Sequence, residues 1–276
     1  MRHGTHLTKR QAVPRPSRLF HRARARYACM TSRDPYDWDD RVEAWEEVAA
    51  TDAFHEIRDR LCELADARPD ERVVDLGAGL GLLALALAPR VALVVAVDIS
   101  PRMLEQLEAR ALADGIENVV PVVADLRKLP LKDASAEIVV SNYAFHHLDD
   151  AGKELALAEA RRVLVPGGRL VLADMMFALS LEPRDRRLVR EKVVAIARRG
   201  PAGIARIVRN AFRLAAGRWE HPAPPETWER MLHDRGFEGI RVELLAHETG
   251  VAVARRPAAT APEGQAPAAP AGASGG

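Results

Sequence analysis

The chain has 276 residues, of which 48% are hydrophobic, and this is ample for the packed core of one large domain or two small ones. The formal net charge is only +1, and no apolar run approaches the roughly 20 residues of a membrane-spanning helix. The two cysteines, Cys29 and Cys62, are too few for a disulfide framework and lack metal-ligand spacing. We therefore expect a soluble, cytoplasmic protein built as one α/β domain with appendages.

The first 29 residues differ in charge from the rest of the chain. They contain eight Arg or Lys residues and no Asp or Glu, a charge of +8 that leaves −7 for the remainder. Basic arms of this kind serve in nucleic-acid binding or organelle targeting. This arm lacks the apolar stretch of a signal peptide, and the sequence from Met30 to Arg33 is typical of a translation start. We expect residues 1–32 to be a disordered basic arm or a mis-assigned start.

Beyond this arm, short apolar runs alternate with helical patterns. Ser100-Pro101 marks a helix start, because a capping hydroxyl precedes a proline at the first helical position. Another helix is predicted from Asp150 to Leu164 and ends before Pro166. The apolar runs predict strands at 72–76, 92–97, 118–123, 136–141 and 169–174. This alternation predicts a parallel sheet with helices on both faces.

The C-terminal part of the pattern is different. A helix is predicted from Glu226 to Arg235, and two strands at 238–245 and 249–255 form a terminal hairpin. Residues 257–276 consist almost entirely of Ala, Pro, Gly and Ser, which cannot offset the cost of ordering the backbone. We expect this last segment to be a disordered tail.

The first predicted strand runs into a glycine-rich turn. Asp75 is followed by three glycines at alternate positions from Gly77 to Gly81, and glycine permits positive φ and close approach of a ligand. A dinucleotide-binding turn needs its third glycine at position 82, which is Leu82. The second strand ends at Asp98, 21 residues after the first glycine, where nucleotide-binding sheets place a carboxylate for the ribose hydroxyls. The pattern predicts a nucleotide site of another kind.

This glycine segment, together with Asp98, resembles motif I of the class I S-adenosylmethionine-dependent methyltransferases. The resemblance covers residues 36–256 and implies an α/β fold with a Rossmann-like seven-stranded sheet. The implied strand order is 3-2-1-4-5-7-6, with strand 7 antiparallel. The resemblance also implies S-adenosyl-L-methionine as methyl donor. We expect the methyltransferase domain to span residues 33–256.

The resemblance also assigns the residues around the glycine turn. The backbone of Gly77 and Gly79 faces the amino-acid part of the cofactor. Asp75 either fixes the turn or reaches the cofactor's ammonium group through water. Asp98 accepts hydrogen bonds from the two ribose hydroxyls. These residues form the predicted ribose and amino-acid parts of the site.

Adenine recognition is implied for two further segments. Ile99 and Met103 are placed to flank the adenine ring, or they pack as ordinary strand-end and helix-face residues. After strand 3, Asp125 accepts from the adenine amino group and the backbone amide of Leu126 donates to the ring. The alternative for Asp125 is a solvated loop carboxylate.

Strand 4 ends in the segment from Ser141 to Leu148, which contains paired histidines. This segment resembles its counterpart in the small-molecule branch related to ubiquinone and menaquinone methyltransferases, and it lacks the Pro-Pro tetrapeptide of base-modifying amino methylases. The resemblance implies that Asn142 touches the methionine end of the cofactor. His146 is the candidate general base, although a histidine pair at a helix start also caps or packs. We predict no metal site.

Two segments are expected to cover the site. Tyr36 to Trp45 is predicted to fold over the cofactor, with its rings facing the sulfonium or closing the pocket. Residues 178–224 form a helical substrate lid, and the part from Glu182 to Arg218 carries 11 basic and three acidic residues. Apolar residues recur in this lid at helical spacing. It is suited to a lipophilic or anionic substrate or to peripheral membrane contact, or it simply has a solvated basic face.

The sequence thus predicts methyl transfer to an O, N or C atom of a small molecule of lipophilic or anionic character. Two alternatives stay open, namely a methyltransferase acting on RNA or another nucleic acid and a non-catalytic protein that binds S-adenosylmethionine. We expect no stable nucleic-acid partner.

Overall fold

A computed structural model of the protein describes residues 38–178, 183–198, 200–201, 204–205, 207–208, 220–245 and 248–259. The predicted arm at 1–32 and the predicted tail from residue 260 onward lie outside the described residues. Within the described part, no helix combines the length and the apolar character needed to span a bilayer.

The described chain begins with a short 3-10 turn at Trp38–Arg41. The strands are β1 (Arg72–Leu76), β2 (Leu93–Asp98), β3 (Val119–Val123), β4 (Ala136–Asn142), β5 (Leu164–Met175), β6 (Glu238–Leu244) and β7 (Thr249–Arg255). The α-helices are α1 (Val42–Ala49), α2 (Asp52–Ala65), α3 (Leu82–Leu87), α4 (Pro101–Ala113), α5 (Asp150–Val163), α6 (Pro183–Ala197) and α7 (Pro225–Asp234). Another 3-10 turn, Phe145–His147, follows β4.

The strands form one sheet in the order β3-β2-β1-β4-β5-β7-β6. The pairs among β1 to β5 are parallel, while β7 runs antiparallel to both β5 and β6. The predicted fold class, strand order and antiparallel last strand are therefore confirmed. The predicted helix start at Ser100 is also confirmed, because its hydroxyl caps α4 by accepting from the Met103 amide at 3.1 Å.

The prediction for the start of the fifth strand was wrong. We expected it to begin at residue 169, after the Pro-Gly-Gly segment, but β5 begins at Leu164, which pairs with Ala136. The pairing with β4 is interrupted by an irregularity and resumes where Arg169 lies beside Ile138. Gly167 adopts a φ of +80° within this stretch. A glycine-containing bulge therefore carries the strand through a sequence that normally ends pairing.

Apolar side chains cover both faces of the sheet, as the alternating pattern predicted. One face packs against α2, α3 and α4. The buried Cys62 of α2 belongs to this layer. The other face packs against α5 and α7 around the fully buried Trp228. Burial of this kind contributes about 25 cal/mol per Å² of apolar surface. The two layers hold the strand ends in fixed register, and this register positions the site.

Candidate active site

The parallel strands β1, β2, β4 and β5 end at the same edge of the sheet. Asp75, near the end of β1, lies level with Ala96 of β2 and Val140 of β4. Asn142, at the end of β4, lies level with Ala173 of β5. Ligands of such sheets bind beyond the carboxyl ends of the strands. This edge is therefore the candidate site.

The glycine turn after β1 is held against the end of β2. The amides of Gly77 and Ala78 both donate to the Val97 carbonyl, at 2.8 and 2.9 Å. Gly77, Gly79 and Gly81 have φ values of +74°, +50° and +85°. These values lie in the left-handed region of backbone conformation, which residues with a side chain rarely adopt.

The glycines also leave room for their neighbours. A Cβ atom on Gly77 would lie 2.3 Å from the Cβ of Ala144, so this glycine lets the loop after β4 pack closely. A Cβ on Gly79 would lie 3.3 Å from Nε1 of Trp45. Close packing of neighbouring side chains therefore accounts for part of the motif.

A cleft of about 360 Å³, including its solvent-open part, lies between the glycine turn and the N-terminal helices. Two buried acceptor atoms in its wall, Oδ2 of Asp75 and Oδ1 of Asn142, have no hydrogen-bond partner. Burial, aided by the nearby charge of Asp98, raises the pKa of Asp75 from 3.8 to about 7. The lining residues are Trp45, Ala49, Phe54, Asp75, Gly77, Ala78, Leu80, Leu82, Leu83 and Asn142. The cleft therefore offers two unsatisfied acceptors to a donor group.

Asp98 lies at the end of β2 and braces the glycine turn. Its Oδ2 accepts from the Gly79 amide at 2.8 Å and its Oδ1 accepts from the Ser100 amide at 2.9 Å. Burial nevertheless raises the pKa of this carboxyl group above its ordinary value. Each carboxylate oxygen has a second lone pair, so these bonds leave acceptor capacity for a ribose. The bracing contacts add a structural role that the sequence did not predict.

The residues predicted for adenine lie around the same edge. Met103 is buried in a small cluster with Val42, Leu80 and the rings of Trp38 and Trp45. Ile99 is half-buried after β2. Met103 thus packs against Leu80 of the glycine turn, in the packing arrangement that was the alternative for this residue.

Asp125 follows β3 and is engaged by Arg127. The guanidinium donates through Nε to Oδ1 at 2.9 Å and through Nη2 to Oδ2 at 2.5 Å. Burial alone would raise the pKa of Asp125, but the hydrogen bonds and charge of Arg127 lower it. Leu126 is half-buried and packs against the core. An adenine amino group at Asp125 would share an acceptor that already binds Arg127.

Aromatic rings form a continuous series around the cleft. The series joins helices α1 and α2 to the loop after β4. Tyr143 stands within it at a φ of +57°, which is rare for a residue with a side chain, and its hydroxyl bonds Thr249. Successive ring centroids lie 5.6, 5.0, 5.7, 3.9 and 4.5 Å apart along Trp45, Phe54, Tyr143, His146, His147 and Trp38. Trp38 and Trp45, from the segment predicted to fold over the cofactor, belong to this series, whereas Tyr36 and Asp37 lie outside the described residues.

His146 is buried and forms a close pair with Asp174, the penultimate residue of β5. Its Nδ1 lies 2.6 Å from Oδ1 of Asp174. The amides of Phe145, His146 and Met175 also donate to this carboxylate. Burial would raise the pKa of Asp174, but the charge and hydrogen bond of His146 lower it. An ionised Asp174 accepts from Nδ1, so in the neutral form of His146 the lone pair is on Nε2.

Asp174, a member of this pair, and Glu220, which lies near it, were not identified from the sequence. Asp174 ends an apolar run in the same way as Asp75 and Asp98, and this signal could have identified it. Glu220 lies beside His146 and His147, and no local pattern marks it. The backbone brings it there, because the His221 amide donates to the His146 carbonyl at 2.6 Å.

The sheet order defines a Rossmann-like protein. Its glycine turn and Asp98 lie where nucleotide-binding sheets bind their ligand, but the glycine spacing differs from that of dinucleotide-binding proteins. Comparison with known proteins agrees. A model described as "Methyltransferase domain" matches residues 73–168. The 27-O-demethylrifamycin SV methyltransferase of Amycolatopsis mediterranei is 30% identical over 217 residues, which cover 74% of this chain and 76% of that protein. The chain therefore belongs to the class I S-adenosylmethionine-dependent methyltransferases.

Other relatives match more narrowly. The demethylmenaquinone methyltransferase of Thermus thermophilus is 40% identical over 119 residues, which cover 42% of this chain and 53% of that protein. The crystal structure of the YcgJ protein of Bacillus subtilis aligns with a TM-score of 0.53 and 26% identity, covering 68% of this chain and 70% of that one. The chain spans only 39% and 44% of the length of two further curated relatives.

The cofactor of this family is S-adenosylmethionine, and the residues of the cleft fit it. The unsatisfied oxygens of Asp75 and Asn142 suit a cationic ammonium group, because a buried acceptor without a donor costs about 1–3 kcal/mol. The alternate glycines of the turn from Gly77 to Gly81 allow a ligand to approach the backbone. Both observations concern the same cleft.

Proposed function

We propose that the protein transfers the methyl group of S-adenosylmethionine to a hydroxyl oxygen of a small, largely apolar molecule. The observation that carries this proposal is that His146, which is paired with Asp174, follows β4 only four residues after Asn142, one of the two unsatisfied acceptors of the cleft. The cofactor supplies an electrophilic methyl group on a sulfonium. The protein's own task is to hold the acceptor in line with it and to remove one proton.

The cleft residues hold the cofactor in this proposal. Asp75 and Asn142 accept from its ammonium end, and the backbone of Gly77 and Gly79 lies against its amino-acid part. Asp98 accepts from the ribose hydroxyls with the lone pairs that the Gly79 and Ser100 amides leave open. Each such bond to a charged group contributes about 1.5–3 kcal/mol.

Four residues recognise adenine in the same proposal. Ile99 and Met103 flank the ring, and this role is supported by the position of Ile99 directly after β2 and by the packing of Met103 against Leu80 of the glycine turn. Asp125 accepts from the amino group alongside Arg127, and the Leu126 amide donates to the ring. In this proposal adenine binds to side chains that protein contacts already hold in place, namely Asp125 by Arg127 and Met103 by Leu80.

His146 removes the proton from the acceptor. Asp174 accepts the Nδ1 hydrogen, which leaves the Nε2 lone pair to take the proton. Asp174 is therefore a positioning residue, fixed by three backbone amides. Orientation of the reacting atoms can supply roughly 7–11 kcal/mol, and this explains why one base is enough.

Two observations support a small hydroxyl-bearing acceptor. The rings of Trp38, Tyr143 and His147 provide apolar surface next to His146. One relative, which matches 74% of this chain, is named 27-O-demethylrifamycin SV methyltransferase. A proton-accepting histidine is most useful for a hydroxyl group, because an alcohol is a poor nucleophile until it loses its proton.

A panel of acceptors tests the proposal. The purified protein is incubated with S-adenosylmethionine and either phenols, aliphatic polyketide alcohols, quinols, amines or RNA, and release of S-adenosylhomocysteine is measured. We expect turnover with a hydroxyl compound. Turnover with RNA alone would favour a nucleic-acid methyltransferase, and tight cofactor binding without turnover would favour a non-catalytic binding protein.

We also propose that α6 contacts an anionic membrane surface. Its described side chains include none that is buried, and Arg186, Arg187 and Arg190 are exposed. Val193 and Val194 are 42% and 43% exposed on the same helix. Arginine and apolar side chains on one exposed helix are suited to the interface of anionic lipids.

Co-sedimentation with vesicles tests this contact. We expect binding to phosphatidylglycerol vesicles but not to phosphatidylcholine vesicles, and loss of binding in the double variant V193S/V194S. The control is L112S, which changes an 81% exposed leucine on α4. Absence of wild-type binding to the anionic vesicles would exclude the contact.

A further inference from the structure

Three side chains with metal-binding atoms converge at the turn that follows β4. One ligand atom from each of His146, His147 and Glu220 lies within 4.8 Å of the other two. Two come from the 3-10 turn after β4, and the third comes from the segment before α7. The hydrogen bond from the His221 amide to the His146 carbonyl, at 2.6 Å, fixes these segments to each other. The convergence therefore follows from the backbone and not only from side-chain rotamers.

The surroundings of His146 match those of a metal ligand. A histidine that binds a metal through one ring nitrogen usually donates its other N–H to a carboxylate. Here Nδ1 of His146 lies 2.6 Å from Oδ1 of the fully buried Asp174. This bond leaves Nε2 as the nitrogen with a free lone pair.

His147 is also suited to bind a metal. The ring is packed against Trp38, with centroids 4.5 Å apart, and against His146, with centroids 3.9 Å apart. Packing against both neighbours holds the His147 ring in place next to His146.

We propose that His146, His147 and Glu220 form a binding site for a divalent transition metal such as Zn²⁺. Two imidazole nitrogens and one carboxylate oxygen are the donor set of Zn²⁺ and Fe²⁺ sites, whereas Mg²⁺ and Ca²⁺ prefer oxygen donors alone. Donors about 2.1 Å from a tetrahedral ion lie roughly 3.4 Å apart. The cluster reaches this spacing by closing on the ion, which the half-buried Glu220 can accomplish by a rotamer change.

The site has a consequence for catalysis, and this consequence rests on the proposed function. A metal bound at Nε2 of His146 occupies the lone pair that the acceptor proton needs. Metal binding and proton acceptance therefore exclude each other, and Zn²⁺ is expected to inhibit methyl transfer without displacing the cofactor. Metal binding itself requires no turnover, so it can be measured separately from the proposed activity.

The experiment is a metal titration of the full chain, purified without a polyhistidine tag. Calorimetry with ZnCl₂ and visible absorption with CoCl₂ are compared for the wild type, E220Q, H147N and D174N. The controls are E226Q and H233N, which change an exposed glutamate and an exposed histidine on α7. Titration with MgCl₂ tests selectivity.

We expect one Zn²⁺ per chain and cobalt absorption bands of a low-coordinate site in the wild type and in both controls. D174N should bind about 10- to 100-fold more weakly, the usual cost of losing a carboxylate behind a metal-bound histidine. E220Q should lose at least as much affinity and alter the cobalt bands. Because Glu220 is only half-buried, E220Q remains informative even if H147N fails to fold.

The proposal would be overturned by the absence of stoichiometric Zn²⁺ binding. It would also be overturned by Zn²⁺ binding that E220Q leaves unchanged, or by Mg²⁺ binding as tightly as Zn²⁺. None of these results bears on whether the protein transfers methyl groups. Binding of Zn²⁺ that leaves methyl transfer unaffected would support the site and contradict the role of His146 as the base.

Discussion

Replacement of Asp75 by Asn should strengthen the cofactor-free fold and weaken the cofactor complex. Asp75 is 1% exposed, and one of its carboxylate oxygens has no hydrogen-bond partner. Its pKa is raised from 3.8 to about 7, mainly because burial penalises the charged form. Its stabilising contribution is fully present below pH 3.8, falls as the pH rises toward 7, and is lost above that value.

The size of the effect follows from this shift. A difference of about 3 pKa units corresponds to about 4 kcal/mol of unfolding free energy at pH 8. The amide introduced by Asp75→Asn does not ionise, but its unpaired donors cost about 1–3 kcal/mol. We therefore expect this substitution to raise the unfolding free energy at pH 8 by about 1–3 kcal/mol and to remove most of its pH dependence between about pH 4 and 8. Urea unfolding at several pH values measures this difference.

The same substitution should weaken cofactor binding. Loss of a charged acceptor costs about 1.5–3 kcal/mol, or roughly 10- to 150-fold in affinity for S-adenosylhomocysteine. At about pH 6 the wild-type carboxyl group is mostly protonated, and pairing with the ammonium group should release about 0.9 proton per ligand. Calorimetry in buffers of different ionisation enthalpy measures this release. Equal affinity in Asp75→Asn, or no proton release from the wild type, would refute the reasoning.

Three further substitutions test the rest of the site. Asp98→Ala should weaken S-adenosylhomocysteine binding by about 1–3 kcal/mol in calorimetry, and unchanged affinity would contradict its ribose role. Asp174→Asn should lower kcat with little change in the KM for S-adenosylmethionine, because it disturbs His146 and not the cofactor; a change confined to that KM would speak against this assignment. Gly77→Ala should destabilise the protein by about 2–5 kcal/mol in urea unfolding, from its positive φ and its clash with Ala144, and A144G should restore part of the loss.

Much of the fold could be predicted because its signals are local. Apolar runs located most strands within one or two residues, and the hydroxyl of Ser100 predicted the start of α4. The glycine turn could be recognised because its backbone needs positive φ, which few other residues adopt. The strand order does not follow from these local signals, since periodicity does not specify which strands are neighbours. It was predicted from the family resemblance instead.

The candidate site was less predictable because its contacts join distant segments. His146 and Asp174 are 28 residues apart, and their pairing depends on the register of β4 with β5. Glu220 reaches the histidines through a backbone hydrogen bond that no local pattern encodes. The early start of β5 at Leu164 was missed for a similar reason, because pairing with Ala136 overrides the turn signal of the Pro-Gly-Gly segment.

The central claim is methyl transfer from S-adenosylmethionine in the cleft between the glycine turn and the aromatic rings. Its most direct test uses S-adenosylmethionine with a radiolabelled methyl group. Wild-type protein, Asp75→Asn and Asp174→Asn are each incubated with this cofactor and a small-molecule extract, and the label in each product fraction is measured. We expect the label to enter an organic-soluble product with the wild type and to be strongly reduced with both variants. Label confined to the unreacted cofactor, or transferred equally well by both variants, would contradict the account.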